Sequence, residues 1–378
     1  MQAGGVIFAG GGTGGHLFPA VAIADALRHA EPASNILFVG TRRRHETELL
    51  AATEYPHHPL PIESSSELRR PWRLHRAYSA ARRLLQRTEP MVVVGCGGFA
   101  SVPVVVAAWR LGIPTLLLEQ NVLPGRANRW LSRIADLVCV AFAASLVYFP
   151  RRARVEVTGN PVRAAFASPA ASTTTFDKPT LVVLGGSLGA SSINRSVVDG
   201  VTQTPEQWRE WQFVHQTGPG DELAVRASYQ ALGLNAEVAS FFPDLDQRLR
   251  RASFVVSRGG ATTLAELACL GLPTIVVPWA GAKDDHQSLN AGWFSERDAM
   301  LLASDAASVV KGETPMLWDA ICQLARDAEL RSTLSRNVLK LGRPDAASNV
   351  LTAITRLIAA PDSGGSLADE NTIDARNR

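Results

Sequence analysis

The chain is poor in cysteine, and it lacks any long hydrophobic run. Its four cysteines lie far apart among 378 residues, and no two of them have the spacing of a metal site or a redox motif. No apolar run reaches the ~20 residues of a membrane-spanning helix. The first strand pattern begins close to Met1, which leaves no room for a signal peptide. These absences argue against a disulfide scaffold and a transmembrane protein, and they favour a reduced cytoplasmic protein.

Charge is unevenly distributed, although the net charge is only +3. Residues 1–165 hold 19 Lys or Arg against 11 Asp or Glu, whereas residues 166–378 hold 19 against 24. A basic first half indicates an anionic partner such as phosphate or a lipid surface. Because no nucleic-acid motif accompanies the charge, we expect no nucleic-acid partner.

A glycine-rich loop follows the first strand pattern. Gly10–Gly15 contain five glycines and Thr13, and a helical pattern begins directly after them at His16. Such a loop lets backbone N–H groups approach a bound anion beside a helix N-terminus. Its spacing also fits the dinucleotide fingerprint, but Arg42–Arg44 stand at the end of the second strand where an acid would bind ribose. Since arginines suit a 2′-phosphate, an NADP oxidoreductase remains an alternative.

Strand and helix patterns alternate in both halves of the chain, which predicts a doubly wound parallel α/β sheet in each. In the first half, Gly95–Ser101 and Glu119–Asn121 also follow strands, at the sheet edge where ligands of such folds bind. The pattern restarts at Thr180, and glycine-rich or polar strand ends follow at 185–190, 257–266 and 278–287. We therefore predict two Rossmann-like domains that face each other across a cleft.

The predicted domain limits follow from these patterns and from a Ser/Thr/Ala-rich connection at 167–175. The first domain covers residues 1–165 and the second covers 166–343. A helix over 344–360 packs back toward the first domain, and the polar tail over 361–378 is disordered.

Metal ligands are scarce. Asp244 and Asp246 have the spacing of a carboxylate pair, but they precede a helical stretch, so a solvated helix start is the favoured interpretation. Without a metal or other cofactor, a pyrophosphate leaving group needs loop amides, hydroxyls and arginine, for which Ser187, Gly189 and Arg163 are candidates.

Residues 72–87 predict an amphipathic helix. Trp72, Leu74, Tyr78 and Leu85 offer apolar anchors between arginines. A basic face with an interfacial tryptophan suits an anionic membrane surface, and a packed helix with a solvated basic face is the alternative. The candidate membrane residues are Trp72, Arg73, Arg76, Arg82, Arg83 and Trp109.

Several stretches together resemble the bacterial glycosyltransferases of family 28 that add N-acetylglucosamine to the lipid-linked muramyl-pentapeptide precursor of peptidoglycan. The resemblance runs from Gly10 to about Ala360, and it implies a GT-B fold, inverting chemistry, no metal or cofactor, and UDP-N-acetylglucosamine as donor. The implied acceptor is undecaprenyl-pyrophosphoryl-MurNAc-pentapeptide, met at the cytoplasmic face of the inner membrane by a peripheral enzyme. The stretches are Gly-Gly-Thr-Gly-Gly-His at 11–16, Glu-Gln-Asn at 119–121, Gly-Asn-Pro-Val-Arg at 159–163, Gly-Gly-Ser-Leu-Gly-Ala at 185–190 and Asp-His-Gln at 285–287.

The resemblance also implies which residues bind the donor. The residues beside the donor sugar are Thr13, Gly14, Gly15 and Asn121, with Gln287 on its hydroxyls. Those on the diphosphate side are Arg163 and Ser187, and Phe242 lies beside the uracil with its backbone groups. The residues around the phosphates and ribose are Ala261, Thr262, Thr263, Leu264, Ala265 and Glu266, with Glu266 on the ribose hydroxyls.

The reaction needs a base for the attacking hydroxyl. His16 is the first candidate, because a helix N-terminus disfavours the charged imidazole; a histidine that only packs the loop is the alternative. Glu119 is the second candidate, and a carboxylate that orders the glycine loops is its alternative. Related sequences carry a histidine where this one has Leu118 and often a tyrosine where it has Phe99.

Three rival functions stay open at this point. An NADP oxidoreductase explains Arg42–Arg44 but leaves the second glycine-loop domain unused. A UDP-sugar 2-epimerase shares the fold and the donor, but it needs no lipid surface. A membrane scaffold without enzymatic activity leaves both nucleotide-type loops idle.

Overall fold

The computed structural model describes residues 4–11, 14–167, 178–186, 189–305 and 314–359. Within them the chain forms two parallel sheets, one from each half, with helices around both. The predicted pair of Rossmann-like sheets is therefore confirmed. Thr13, Ser187, nearly all of the expected connection and the expected tail lie outside the described residues.

The first half forms a seven-stranded sheet. Its strands are β1 (Val6–Gly10), β2 (Ile36–Gly40), β3 (His57–Pro59), β4 (Val92–Gly97), β5 (Thr115–Glu119), β6 (Leu137–Val140) and β7 (Val155–Val157). Its helices are α1 (Gly14–Ala30), α2 (Arg44–Ala51), α3 (Pro71–Thr88), α4 (Ser101–Arg110) and α5 (Arg126–Leu131). The strand order is β3-β2-β1-β4-β5-β6-β7, so the order reverses between β1 and β4 and opens a crevice beyond their carboxyl ends.

The second half repeats this plan with six parallel strands. They are β8 (Thr180–Leu184), β9 (Gln212–Gln216), β10 (Asn235–Ala239), β11 (Phe254–Ser257), β12 (Thr274–Val276) and β13 (Leu301–Leu302). The remaining helices are α6 (Ser191–Gln203), α7 (Glu222–Ala231), α8 (Leu245–Leu249), α9 (Ala261–Leu270), α10 (His286–Ser295), α11 (Leu317–Arg326), α12 (Ala328–Leu341) and α13 (Ala346–Ala359). The order β10-β9-β8-β11-β12-β13 places its reversal between β8 and β11.

Helices cover both faces of each sheet, which explains why the central strands are apolar throughout. In β1, Val6 and Phe8 pack into the core on the side of α1, while Ile7 and Ala9 pack into the core on the side of α3 and α4. The last helix, α13, adds Val350 to the first of these cores. It therefore packs on the first sheet although it follows the second sheet in the chain.

The chain passes between the halves twice, and the two crossings touch. Gly159 has φ +87°, and an added Cβ there would lie 2.7 Å from the Cβ of Arg343. Beyond this point Phe166 is buried in the core of the second half. The ring of Phe142 also reaches across, with its centroid 4.9 Å from that of Trp293. An apolar seam therefore joins the two halves beside the crossings.

Two local expectations need correction. The strands β3, β9, β10 and β13 were not predicted. The first is a half-buried edge segment without an apolar alternation, the next two mix polar with apolar residues, and β13 has only two residues. Leu85 was expected as a membrane anchor, but its side chain is fully buried between α3 and the sheet. The helical period identified an apolar stripe on α3 and could not show that Leu85 faces the protein core.

Candidate active site

The loops after β1 and β4 touch at the carboxyl edge of the first sheet. An added Cβ at Gly98 (φ +74°) would lie 2.5 Å from the carbonyl oxygen of Gly11. One at Gly97 (φ +98°) would lie 2.8 Å from the His16 ring. Because these positions combine a left-handed backbone with close contacts, they require glycine. The two glycine loops form one wall of the cleft, and the His16 ring lies against it.

His16 lies in the first turn of α1 and is half-buried. Burial, and to a smaller extent His286 of α10, lowers the pKa of His16 to about 4. The imidazole is therefore neutral at pH 7, which is the protonation state that a general base requires. The electrostatic influence of His286 places this part of the second half near the ring.

Glu119 ends β5 and is 3% exposed. Its Oε1 accepts hydrogen bonds from the backbone and side-chain nitrogens of Asn121 at 3.0 and 3.2 Å. Its Oε2 accepts from the Gly125 N–H and from Asn128 Nδ2, both at 2.9 Å. Burial raises the pKa of Glu119, and these hydrogen bonds oppose the rise. Both oxygens are engaged by residues of the loop after β5 and the start of α5, so this carboxylate orders the segment that follows its own strand.

The start of α9 meets the first glycine loop across the cleft. Thr262 Oγ1 donates to the carbonyl oxygen of Gly15 at 3.0 Å and accepts from Asn160 Nδ2 at 3.5 Å. The first-turn N–H groups of α9 lie beside this contact, since Gly260 precedes the helix and no earlier turn pairs them. Of the expected phosphate and ribose residues, those that are buried are Ala261, Thr262, Leu264 and Glu266, and those that are half-buried are Thr263 and Ala265.

Arg163 and Glu266 form an ion pair across the cleft. Arg163 Nε donates to Glu266 Oε1 at 2.9 Å, and Glu266 is 5% exposed. The guanidinium carbon lies 4.6 Å from the ring centroid of Phe18 and 4.4 Å from that of Phe166. Burial raises the pKa of Glu266, and Arg163 opposes the rise. Arg163 was expected beside the diphosphate and Glu266 on the ribose, and the structure shows that these two side chains pair with each other.

Gln287 lies in the first turn of α10. Its Oε1 accepts from the N–H groups of Gly259 at 3.2 Å and Trp279 at 3.0 Å. The carbonyl oxygen of this side chain is therefore bound by two loops of the second sheet. Among the residues that the structure describes, no acceptor engages the NH₂ group, which is the end of the amide that can donate to a ligand.

Phe242 and Asn121 are also tied to the scaffold. Phe242 is 6% exposed, its N–H donates to Gln216 Oε1 at 3.1 Å, and the Arg248 guanidinium lies 4.1 Å from its ring centroid. Of its two backbone groups, the carbonyl is the one left for a nucleobase. Asn121 Oδ1 accepts from Asn290 Nδ2 at 3.1 Å.

Two groups of functional residues were missed in the sequence. Asn290 is fully buried, and besides Asn121 it bonds the Val122 N–H at 2.9 Å and the Gly259 carbonyl at 3.2 Å. It links the strand-end loops of the two halves, and it carries no local signal, because its partners are far away in the chain.

The second missed group fixes the loop before α9. Arg258 lies 3.2 Å from Asp305 and donates to Ser192 Oγ at 2.6 Å, and that hydroxyl donates to Asp305 at 2.6 Å. Burial lowers the pKa of Arg258, and Asp305 opposes the shift. Arg258 could have been found in the sequence, because it is a charged residue placed directly between the apolar strand β11 and Gly259.

The helix α3 shows a basic outer face, as its period predicts. Trp72 is 58% exposed, and the Arg73 guanidinium lies 4.8 Å from its ring centroid and 3.0 Å from Glu67. Trp109 is exposed in the last turn of α4. The other candidate membrane arginines are all exposed, namely Arg76, Arg82 and Arg83. Among the helices that the structure describes, none has the length and apolar character needed to cross a membrane.

The remaining candidate concerns metal. Asp244 lies directly before α8 and accepts from Arg248 Nε at 3.0 Å, and Asp246 lies in the first turn of that helix. Over the described ranges, no group of three or more His, Cys, Asp or Glu side chains is placed to hold a metal ion.

Two Rossmann-like sheets whose strand-end loops face each other across one cleft define a glycosyltransferase-type GT-B fold. The family model for the N-terminal domain of glycosyltransferase family 28 matches residues 6–140, and the model for its C-terminal domain matches residues 180–344. The chain belongs to glycosyltransferase family 28.

Named relatives agree with this assignment. A UDP-N-acetylglucosamine--N-acetylmuramyl-(pentapeptide) pyrophosphoryl-undecaprenol N-acetylglucosamine transferase of Myxococcus xanthus is 37% identical, over 91% of both chains. The protein of the same name from Desulfotalea psychrophila is 38% identical, over 93% of this chain and 96% of its own.

Solved structures extend the comparison to the fold. The crystal structure of Acinetobacter baumannii MurG has a TM-score of 0.75 and 28% identity, covering 93% of this chain and 99% of its own. A UDP-GlcNAc 2-epimerase from Neisseria meningitidis, solved with UDP-GlcNAc, has a TM-score of 0.66 at 16% identity, covering 94% of this chain and all of its own. At that identity the epimerase shows a shared fold alone.

Proposed function

We propose that this chain transfers N-acetylglucosamine from UDP-N-acetylglucosamine to the C4 hydroxyl of undecaprenyl-pyrophosphoryl-N-acetylmuramyl-pentapeptide. The observation that carries the proposal is the identity of 37% and 38%, over nearly the whole chain, to relatives whose names describe this transfer. The acceptor oxygen forms a bond to the anomeric carbon while the bond from that carbon to the UDP oxygen breaks. The configuration inverts, the hydroxyl proton goes to a base, and UDP leaves with the electron pair.

His16 is the proposed base. It is neutral at pH 7, and it lies on the glycine wall facing α10, which carries Gln287. A pKa of about 4 makes a weak base. The negative charges of a bound diphosphate favour the imidazolium, so donor binding raises the pKa of His16 toward the range in which general bases are effective. Donor binding thereby makes His16 a stronger base for the transfer step.

The donor site is proposed mainly on the second half of the chain, with further contacts from the first half. Glu266 accepts from the ribose hydroxyls through the oxygen that Arg163 does not use, and Arg163 faces the diphosphate. The Gln287 NH₂ group donates to the sugar, and the Phe242 carbonyl accepts from the uracil. The remaining proposed contacts come from Thr13, Gly14, Gly15, Asn121 and Ser187 and from the start of α9, residues 261–265.

The acceptor and the lipid surface are proposed to meet the first half. Its charge excess and the exposed arginines of α3 favour an anionic surface, and Trp72 and Trp109 offer interfacial side chains. On this proposal the enzyme is peripheral, at the cytoplasmic face of the inner membrane. The division into domains at 1–165 and 166–343, with 344–360 returning to the first, belongs to the same proposal.

The rival functions have weaker support. The two family models argue against an NADP oxidoreductase and against a scaffold without activity, because both halves match a glycosyltransferase family. An epimerase shares the fold, and its reaction needs no acceptor.

The test is incubation of the enzyme with radiolabelled UDP-N-acetylglucosamine and the lipid-linked muramyl-pentapeptide. We expect label in the lipid fraction, dependent on the acceptor. A labelled 2-epimer of the donor without labelled lipid would favour the epimerase. If no labelled product of either kind forms, the proposed transfer is refuted.

A further inference from the structure

The arginines that follow β2 have no role in the site described so far. Arg43 is held in place: its Nε donates to the carbonyl oxygen of Glu63 at 2.8 Å, and its guanidinium carbon lies 5.0 Å from the ring centroid of Phe99. The neighbouring Arg44 is 91% exposed at the side chain and pairs with Glu48 at 2.6 Å. Both arginines are exposed, and they differ in that Arg43 is anchored to Glu63 and Phe99 whereas Arg44 pairs only with Glu48 of its own helix.

The position of Arg43 relates it to the cleft. Phe99 directly follows Gly98, and Gly98 is in contact with Gly11 of the first glycine loop. Since β2, β1 and β4 are neighbours in the sheet, their strand-end loops share one edge. The Arg43 guanidinium therefore lies on the same glycine wall as His16.

The charge of Arg43 is not neutralised within the described residues, where no carboxylate forms an ion pair with it. The nearby Glu46 is 1% exposed and faces inward. It accepts from the Thr41 N–H at 2.6 Å and from Thr41 Oγ1 at 2.7 Å. Arg43 keeps its Nη groups for a ligand, and a guanidinium with two parallel N–H groups suits carboxylate or phosphate oxygens.

The chain around Arg43 connects the cleft to the basic face of α3. Glu63, which anchors Arg43, leads through a 3₁₀ turn at Ser65–Arg69 into α3. Helix α3 packs on α4, and α4 begins two residues after Phe99. The segment that anchors Arg43 is therefore continuous with the helix whose basic face is proposed to meet the lipid surface.

We propose that Arg43, stacked on Phe99, forms an anion-binding subsite for the acceptor. The anion is a pyrophosphate or a carboxylate, since the acceptor named for the relatives carries a pyrophosphoryl group and a pentapeptide. This inference rests on the proposed function, because it requires an acceptor with these groups. It adds a determinant of acceptor affinity that is separate from the donor site.

The test compares Arg43→Gln with Arg44→Gln, which removes the same charge one residue away. We expect Arg43→Gln to raise the KM for a short-chain, soluble acceptor by about ten- to hundredfold, the effect of losing a charge-assisted hydrogen bond. Its KM for UDP-N-acetylglucosamine stays at the wild-type value, and Arg44→Gln leaves both constants unchanged. An Arg43→Gln effect on the acceptor no larger than that of Arg44→Gln overturns the proposal.

A second acceptor identifies the anion. With the peptide carboxylates converted to amides, the ratio of variant to wild-type KM persists if Arg43 binds the pyrophosphate, and it falls to one if Arg43 binds the peptide. Titration with inorganic pyrophosphate at saturating UDP separates this inference from the proposed function. If the wild type transfers no label, the transfer is refuted. The subsite is overturned as well if the wild type and Arg43→Gln then bind both inorganic pyrophosphate and the free pentapeptide with equal affinity.

Discussion

Replacing Glu266 by alanine tests the proposed donor site most directly. The change removes a carboxylate that is 5% exposed and leaves Arg163, which is half-buried, without its acceptor at 2.9 Å. A hydrogen bond to a charged group contributes about 1.5–3 kcal/mol, so loss of the ribose contact predicts a rise of roughly 10- to 150-fold in the Kd for UDP. The Kd of this variant therefore measures how much the carboxylate contributes to UDP binding.

The same substitution also has a cost in stability. Arg163 keeps its contacts with Phe18 and Phe166, and 29% of its side chain remains exposed to water. The expected loss in the free energy of unfolding is therefore about 1–2 kcal/mol, below that of a fully buried pair. We expect a decrease of a few degrees in melting temperature, with the variant folded at 25 °C.

Calorimetric titration with UDP and thermal unfolding are measured together on three variants. Glu266→Gln keeps the size of the side chain and one acceptor oxygen, so its affinity should lie between wild type and Glu266→Ala. Glu296→Ala, at a side chain that is 77% exposed, is the matched control and should change neither quantity. A Kd for Glu266→Ala within twofold of wild type would refute the ribose assignment, and Glu266 would then serve only the pair with Arg163.

Three further predictions concern the base, the basic helix and a buried histidine. His16→Ala should lower kcat by about 10²–10⁴-fold with the donor Kd unchanged, and survival of turnover within a few-fold in steady-state kinetics would remove His16 from the chemistry. Replacing Arg73, Arg76, Arg82 and Arg83 by Gln should abolish salt-sensitive flotation with anionic vesicles and preserve activity on a soluble acceptor; the same change at Arg209, Arg297, Arg326 and Arg336 is the control, and equal flotation of both variants contradicts the assignment. His215 is buried between Tyr229 and Asn194, and burial lowers its pKa to about 3, so its contribution to stability is complete above pH 6.5 and is lost as pH falls toward 3. Urea unfolding at several pH values between 6 and 4 gives the free energy of unfolding as a function of pH. In His215→Asn this free energy should fall less steeply with decreasing pH, by about 1.4 kcal/mol per pH unit, and an unchanged pH dependence would contradict the buried neutral state.

Local patterns explain what the sequence could predict. The glycine loops are visible because the close contact of Gly98 with Gly11 and the backbone of Gly97 restrict those positions to one residue type. The central strands of both sheets could be predicted because strands covered on two faces are apolar throughout, whereas the more polar β9 and β10 could not. The helix α3 is visible from its period, although the period alone could not place Leu85 in the core.

Contacts between the halves could not be predicted in this way. Asn290 meets Asn121 across 169 positions of sequence, and Arg163 meets Glu266 across 103. These pairs depend on how two separately folded sheets are placed against each other, which no local period encodes. The cleft was predicted as a set of strand ends, and its cross-links came only from the structure.

The contact of Gly159 with Arg343 has a mechanical consequence. With a single connecting segment, one half could rotate in any direction relative to the other. Two connecting segments held side by side resist twisting, so the softest relative motion of the halves is a hinge rotation about one axis near the contact. An alanine at Gly159 would meet the Cβ of Arg343 at 2.7 Å and force a left-handed backbone, so this substitution acts on the axis itself rather than on any group that binds a substrate.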